Sequence, residues 1–157
     1  MERSAESVYR VDHKYKEGRR ALDSRMNCIF CKIVKGDIPS FKLIETDTVF
    51  SFLDINPLSR GHALVIPKHH CEKFHQLPDA HMVDLLATAK KIAVAERLED
   101  YNLLQNNGRI ANQQVDHVHF HIINKPNAEE GLKIGWPSQP TNMDSLKEYH
   151  TMIKERL

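Results

Sequence analysis

Cysteine is scarce in this chain, three in 157 residues and an odd number, which argues against a disulfide framework and fits a reducing compartment. No apolar run approaches the ~20 residues of a membrane-spanning helix, and the N-terminus lacks the apolar core of a secretory signal. The cytoplasm is therefore the expected location, with the nucleus as a second, and no membrane partner is expected. Charge of one sign is lacking too. Lys and Arg number 22 against 21 Asp and Glu, which leaves no electrostatic case for nucleic acid or an anionic surface as the main partner. A Gly-X-X-X-X-Gly-Lys-Ser/Thr stretch is absent, so any phosphate must be held by side chains rather than by a glycine-rich loop. No organic cofactor is expected. At 41% hydrophobic residues the rest is an ordinary globule of one domain, long enough to bury a core.

Residues 1–25 are polar, mixed in charge and poor in large apolar side chains, so burial there cannot offset the entropy of ordering. A disordered extension is expected over 1–25 and one domain over 26–157. The domain opens with Ile29, Phe30, Ile33 and Val34 spaced for one face of a short helix that Gly36 and Pro39 would end. Strand-like runs follow at residues 42–45, 49–53 and 62–66, with Asn56 and Pro57 breaking the chain between the last two. Pro78 opens a helical pattern carried by Met82, Leu85, Leu86, Ala89, Ile92 and Ala93 as far as Leu98. Leu103, Leu104 and then residues 118–123 supply the last strands. A terminal helix is predicted from Met143, with Leu146, Tyr149 and Ile153 on its apolar side. This order, without βαβ alternation, predicts an α+β fold built on an antiparallel sheet.

The most informative segment is residues 117–123, in which three histidines alternate with apolar residues. On a strand, side chains two apart share a face, so the pattern predicts a row of imidazoles spaced by roughly 6.5 Å. Val118 and Phe120 then point into the opposite layer. Imidazole can be nucleophilic and uncharged near neutral pH, which suits it to displacement at phosphorus through a covalent intermediate. The middle ring, His119, is best placed to attack while its neighbours flank the phosphate. For that, one ring nitrogen must offer a lone pair and the other must be held as N–H, with a backbone carbonyl the expected acceptor. A row of solvated histidines or a metal-ligand comb would show the same pattern.

The run His117, Val118, His119, Phe120, His121, Ile122, Ile123 resembles the signature of the histidine triad family. Residues 28–40 (CIFCKIVKGDIPS), 54–70 (DINPLSRGHALVIPKHH) and 101–108 (YNLLQNNG) resemble the same family, in family order. The likeness runs from Cys28 to Trp136, and Gly135, Trp136 and Pro137 point to the Hint branch of nucleoside phosphoramidate hydrolases, most like its fungal members. The resemblance implies a five-stranded antiparallel sheet with one long and one short helix. It also implies a homodimer whose two sheets join into ten strands through the long helix and the strand over 101–104. The implied activity is hydrolysis of purine nucleoside phosphoramidates to AMP and an amine through a nucleotidyl intermediate on His119. His121 and His62 match positions that donate hydrogen bonds to phosphate oxygens. Asn106 matches an amide that orients phosphate and leaving group, although a turn at Asn106, Asn107 and Gly108 would use it as well. Asp54 matches the carboxylate that accepts the ribose hydroxyls, with a plain turn before Asn56 and Pro57 as its alternative. Ile29, Phe30, Ile33, Phe52, Ile55 and Leu64 match the base pocket. Gln113 and Gln114 stand where a Gln-Ser pair is usual, which puts a hydroxyl contact to the leaving group in doubt. Trp136 matches a residue that reaches the partner's active site. A dinucleoside polyphosphate hydrolase of the Fhit branch would use the same nucleophile. A nucleotide-binding regulatory or scaffold protein, with protein partners not identifiable from sequence, would carry the same motifs.

Cys28 and Cys31, in Cys-X-X-Cys spacing, would with two histidines make a closed zinc site, structural because four protein ligands leave no open position. In the resemblance the partners are His70 and His117, with His69 and Cys71 flanking the first of them. A reduced pair without metal is the alternative. If His117 binds zinc it carries no proton, and its role becomes fixing the triad strand.

Overall fold

The computed structural model describes residues 24–135 and 137–157. Strands β1 (Lys42–Glu45), β2 (Val49–Leu53), β3 (Ala63–Pro67), β4 (Tyr101–Gln105) and β5 (Phe120–Asn124) form one sheet in the order β1-β2-β3-β5-β4. Every pairing is antiparallel, as the expected α+β class requires. Helices α1 (Ile29–Lys35), α2 (Val83–Ala95) and α3 (Met143–Lys154) accompany the sheet.

Both faces of the central strands are covered, which is why β2 reads VFSFL and β3 reads ALVIP with almost no polar alternation. On one face Val49, Ala63, Val65 and Ile122 pack with Leu85, Ala89 and Ile92 of α2. On the other, Phe50, Phe52, Leu64 and Ile66 pack with Phe30, Cys31 and Ile33 of α1. The polar exception is Ser51. Its hydroxyl donates to the Ile44 carbonyl at 3.0 Å and accepts from the Ile44 N–H at 2.8 Å, where the β1 to β2 register shifts. Val118 lies in the α2 layer and Phe120 packs against it, so the three histidines of the run turn towards α1.

Three elements differ from the sequence expectation. Strand β5 starts at Phe120, so only His121 of the three histidines stands in a regular ladder. Pairing with β3 ends at Val65 and Phe120, because the Val118 N–H goes to the Cys71 carbonyl (2.9 Å) and the His117 N–H to the Val115 carbonyl (2.8 Å). The segment opened by Pro78 begins as a 3-10 turn (Asp79–His81), and the α-helix itself runs from Val83 to Ala95. Arg97 stops it in the left-handed region (φ 54°), with the Leu98 N–H closing on the Ala93 carbonyl at 3.0 Å. Strand β3 starts one residue later than predicted, at Ala63. Helix α3 is capped by Asn142, whose side-chain oxygen accepts from the N–H groups of Asp144 and Ser145, and Leu146 and Tyr149 on it are exposed. The expectation for residues 1–25 lies outside the described residues except for Ser24 and Arg25, which are helical. Trp136 lies outside them too.

Candidate active site

Helix α1 has Cys28 as its N-cap and ends in a Schellman turn, with Gly36 at φ 84° and the Asp37 N–H on the Lys32 carbonyl at 2.9 Å. Cys28 and Cys31, three residues apart, therefore face the same way. They meet His70, just past β3, and His117: one donor atom from each of the four lies within 4.8 Å of the others. The His117 Nδ1 is 3.4 Å from Cys28 Sγ, 3.7 Å from Cys31 Sγ and 3.2 Å from His70 Nδ1, and Cys31 Sγ is 3.4 Å from His70 Nδ1. Ordinary zinc bond lengths in a tetrahedron put nitrogen about 3.3 Å from nitrogen and about 3.5 Å from sulfur. Those four distances match that spacing, and all four donor atoms lie within 4.8 Å of one another. The His117 Nε2–H donates to the Pro67 carbonyl at 2.8 Å, which leaves its Nδ1 lone pair facing the cluster, the usual support of a metal-ligating imidazole. Burial pushes the His117 ring down to about 4, with the Pro67 carbonyl opposing, so the ring is neutral. Burial and the neighbouring Cys28 push the Cys31 thiol up to about 12, so a thiolate there calls for a cation. His69 and Cys71 stand apart from this group. His69 stacks on His81 (ring centroids 4.7 Å apart), and Cys71 is buried in the α2-side core, its thiol pushed up to about 11.

The next ring along is His119, buried with its edge against Phe30 (centroids 5.2 Å apart). Its Nδ1–H donates to the His117 carbonyl at 2.6 Å, the acceptor that a nucleophilic imidazole needs. Nε2 is left as a bare lone pair. Burial pushes this ring below the ordinary imidazole value, with the His117 carbonyl and Asp54 opposing, so it stays uncharged near neutral pH.

His121 takes the opposite tautomer. The Leu58 N–H donates to His62 Nδ1 at 3.2 Å, so neutral His62 carries its proton on Nε2. That N–H donates to His121 Nδ1 at 2.9 Å, and the His121 proton is thereby placed on Nε2. Burial, then the His119 and His62 rings, push His121 to about 4, while burial lowers His62 against the pull of Asp54. Gly61 (φ 84°) makes the turn that delivers His62, and a β-carbon there would run into the Glu96 carboxylate. Asp54, His62 and His121 also form a metal-sized group. An ion on His62 Nε2 would require both nitrogens of that ring to be bare while Leu58 donates to one of them. This end of the run is a donor site, not a metal comb.

The other site residues divide. Asp54 accepts from the Asn56 N–H through one oxygen (2.8 Å) and places the other 3.8 Å from His62 Nε2, so the turn role and an open carboxylate oxygen coexist. Phe30, Ile33, Phe52 and Leu64 are buried together beside the histidines. Ile29 and Ile55 are 44% and 77% exposed and lie outside that buried group. Gln113 is buried with its amide spent on backbone: it donates to the Glu72 and Val115 carbonyls and accepts from the Gly108 N–H at 2.6 Å, which ties down the loop rather than reaching a ligand. Gln114 is exposed, and its carbonyl accepts from Arg109 (2.7 Å), which also pairs with Asp116 (3.0 Å). Asn106 donates to the Asn112 carbonyl at a long 3.5 Å. The Pro67 carbonyl and the Leu58 N–H were not foreseen, and as backbone atoms they leave no mark in a sequence.

The HIT domain model matches residues 35–128. The adenosine 5'-monophosphoramidase of Schizosaccharomyces pombe is 57% identical over 132 residues, 84% of this chain and 99% of that protein. The protein of the same description from Saccharomyces cerevisiae is 53% identical over 130 residues, 83% of this chain and 82% of its own length. The crystal structure of the histidine triad nucleotide-binding protein from Candida albicans superposes with a TM-score of 0.80 at 51% identity, covering 83% of this chain and 96% of that one. With the triad, its fold and these relatives in agreement, the chain belongs to the HIT-domain family, the histidine triad proteins, and is similar to its fungal adenosine 5'-monophosphoramidases.

Proposed function

We propose that this protein hydrolyses phosphoramidates of AMP to AMP and a free amine. The carrying observation is the pair of opposite tautomers: a bare Nε2 on His119, fixed by the His117 carbonyl, beside an N–H on His121 Nε2, fixed through His62. The His119 lone pair forms a bond to the α-phosphorus and the P–N bond to the amine breaks. The amine leaves with a proton, for which His121 Nε2–H is the nearest fixed donor. Water then attacks the nucleotidyl-histidine, freeing His119 and AMP, and its proton restores the donor. The free oxygen of Asp54 suits the ribose hydroxyls, and the Phe30, Ile33, Phe52 and Leu64 cluster suits the base. The activity for which those fungal relatives are named, adenosine 5'-monophosphoramidase, supports the reading. A side-by-side rate comparison on an AMP-amine phosphoramidate and on diadenosine triphosphate tests it. Preference for the phosphoramidate by orders of magnitude is expected. The reverse order would make it a dinucleoside polyphosphate hydrolase, and turnover of neither would leave a nucleotide-binding regulator.

We further propose that Cys28, Cys31, His70 and His117 hold a structural zinc ion, on the strength of the donor spacing and the Pro67 support. An ion with four protein ligands would supply rigidity and no open coordination position. Elemental analysis of protein purified without chelator should find about one zinc per chain. A homodimer is proposed on the edge strand β4 and helix α2, where Tyr101, Leu103, Leu86 and Val83 are exposed. Sedimentation should return twice the chain mass.

A further inference from the structure

His117 joins two centres that the proposed function treats separately. Its ring belongs to the cysteine-histidine cluster, and its carbonyl holds the proton of His119 at 2.6 Å. A carbonyl in a regular sheet is held by the ladder, but this one is outside it. Pairing of β5 with β3 stops at Phe120, three residues further on. What holds the His117 peptide is local: its ring is pinned at Nε2 by the Pro67 carbonyl and at Nδ1 by the cluster, and the next N–H, of Val118, donates to Cys71. Cys71 is the neighbour of His70, itself a cluster member. The four donors therefore tie the two segments, 67–71 and 117–118, whose relative position sets that carbonyl.

We propose that the Cys28, Cys31, His70 and His117 cluster, when loaded, acts as the positioning device of the nucleophile: by anchoring the His117 ring it holds the carbonyl that keeps the His119 proton on Nδ1. With the anchor gone the carbonyl can turn away, and His119 is free to take the other tautomer, whose Nε2 carries a proton and cannot attack. The loss falls on the chemical step and not on nucleotide binding. The inference rests on the proposed zinc for its metal arm and on the proposed activity for its kinetic arm.

The test compares the full chain loaded with zinc, stripped by chelator and reloaded, with circular dichroism to confirm the fold. Long-range proton to nitrogen-15 spectra of the histidine rings read the tautomer, and turnover of an AMP-amine phosphoramidate reads kcat and KM. Stripping should turn a pure Nδ1–H pattern for His119 into a mixture and lower kcat by roughly ten- to a hundredfold, with KM unchanged, and zinc should restore both. An unchanged tautomer and kcat in folded, stripped protein overturns the inference. Where the stripped chain loses its fold, cadmium replaces zinc: the larger ion shifts His117, and a smaller change in the same direction is expected, while identical spectra and kcat overturn the inference. A chain that binds no zinc overturns both this inference and the zinc reading. Zinc binding without turnover defeats only the proposed activity, and the tautomer then decides alone.

Discussion

The two ends of one seven-residue run carry the same side chain at the same spacing and put it to opposite uses. At one end His117 is fully buried between two cysteines and His70, donates from Nε2 to a carbonyl, and turns Nδ1 to the candidate metal site. At the other end His121 lies beside Asp54, accepts at Nδ1 from His62 and carries its proton on Nε2. Neither difference comes from the histidines themselves. A carbonyl (of Pro67) faces one ring and an N–H (of Leu58, through His62) governs the other, and each backbone group chooses a tautomer. His119, between them, takes its tautomer from the carbonyl of the first, so the proposed nucleophile depends on the cysteine-facing end for its lone pair and on the donor end for the proposed acid.

Removing the middle ring has the largest expected effect, because nothing at either end replaces it. His119→Ala should lower turnover by at least about 10⁴-fold while AMP binding and assembly persist, as isothermal titration and sedimentation would show. Retained turnover would sink the covalent mechanism. The metal-facing end comes next. Free zinc at a thousandfold over its dissociation constant should stabilise the fold by about 4 kcal/mol, seen as a rise in thermal midpoint that Cys31→Ala abolishes. If the midpoint in Cys31→Ala still rises with zinc, the ion sits elsewhere and the contrast between the ends is wrong.

What the sequence showed of this contrast, and what it did not, follows the same division between side chain and backbone. Alternation at residues 117–123 placed Val118 in the α2 layer and the histidines opposite, and the strands over 42–45 and 49–53 matched in their bounds, the second because two covered faces leave it apolar but for Ser51. Cys28 and Cys31 were legible as a pair because three-residue spacing on a helix fixes a common direction. The point where β5 leaves the ladder was not legible, since it depends on the Val118 N–H choosing Cys71, 47 positions away in the chain, over a strand partner. Nor was the role of Gln113, whose amide spans from Gly108 to Glu72 and so looks the same in sequence as a ligand contact.

The donor end can be broken selectively. In His62→Gln the amide nitrogen can still reach His121 Nδ1, whereas in His62→Asn the shorter side chain cannot, so the two isosteric alternatives separate donation from bulk. His62→Asn should lose roughly ten- to a hundredfold in kcat and His62→Gln much less, with zinc content equal in both. Equal losses would mean that His62 serves by filling space, and the tautomer of His121 would have to be set by something else.

The smallest effect expected is on stability against pH, and it separates the ends by site. His121 titrates near 4 in the fold, below the value of about 6.5 that it has in an unfolded chain. The unfolded chain therefore binds the extra proton first, so the stabilisation is complete above about pH 6.5 and is lost as pH falls towards 4. The full shift converts to roughly 3 kcal/mol, and partial exposure of the ring reduces this to about 2. His62, lowered by the same burial, adds loss of the same sign. Urea unfolding at pH 7, 6 and 5 should show this decline in zinc-loaded protein, and His121→Gln should flatten it, because an amide has no proton to gain. A slope as steep in His121→Gln as in the parent would move the acid loss to the metal-facing end, where protons compete with the ion for His70 and His117, and the chain of donors from Leu58 through His62 would no longer be what keeps His121 neutral.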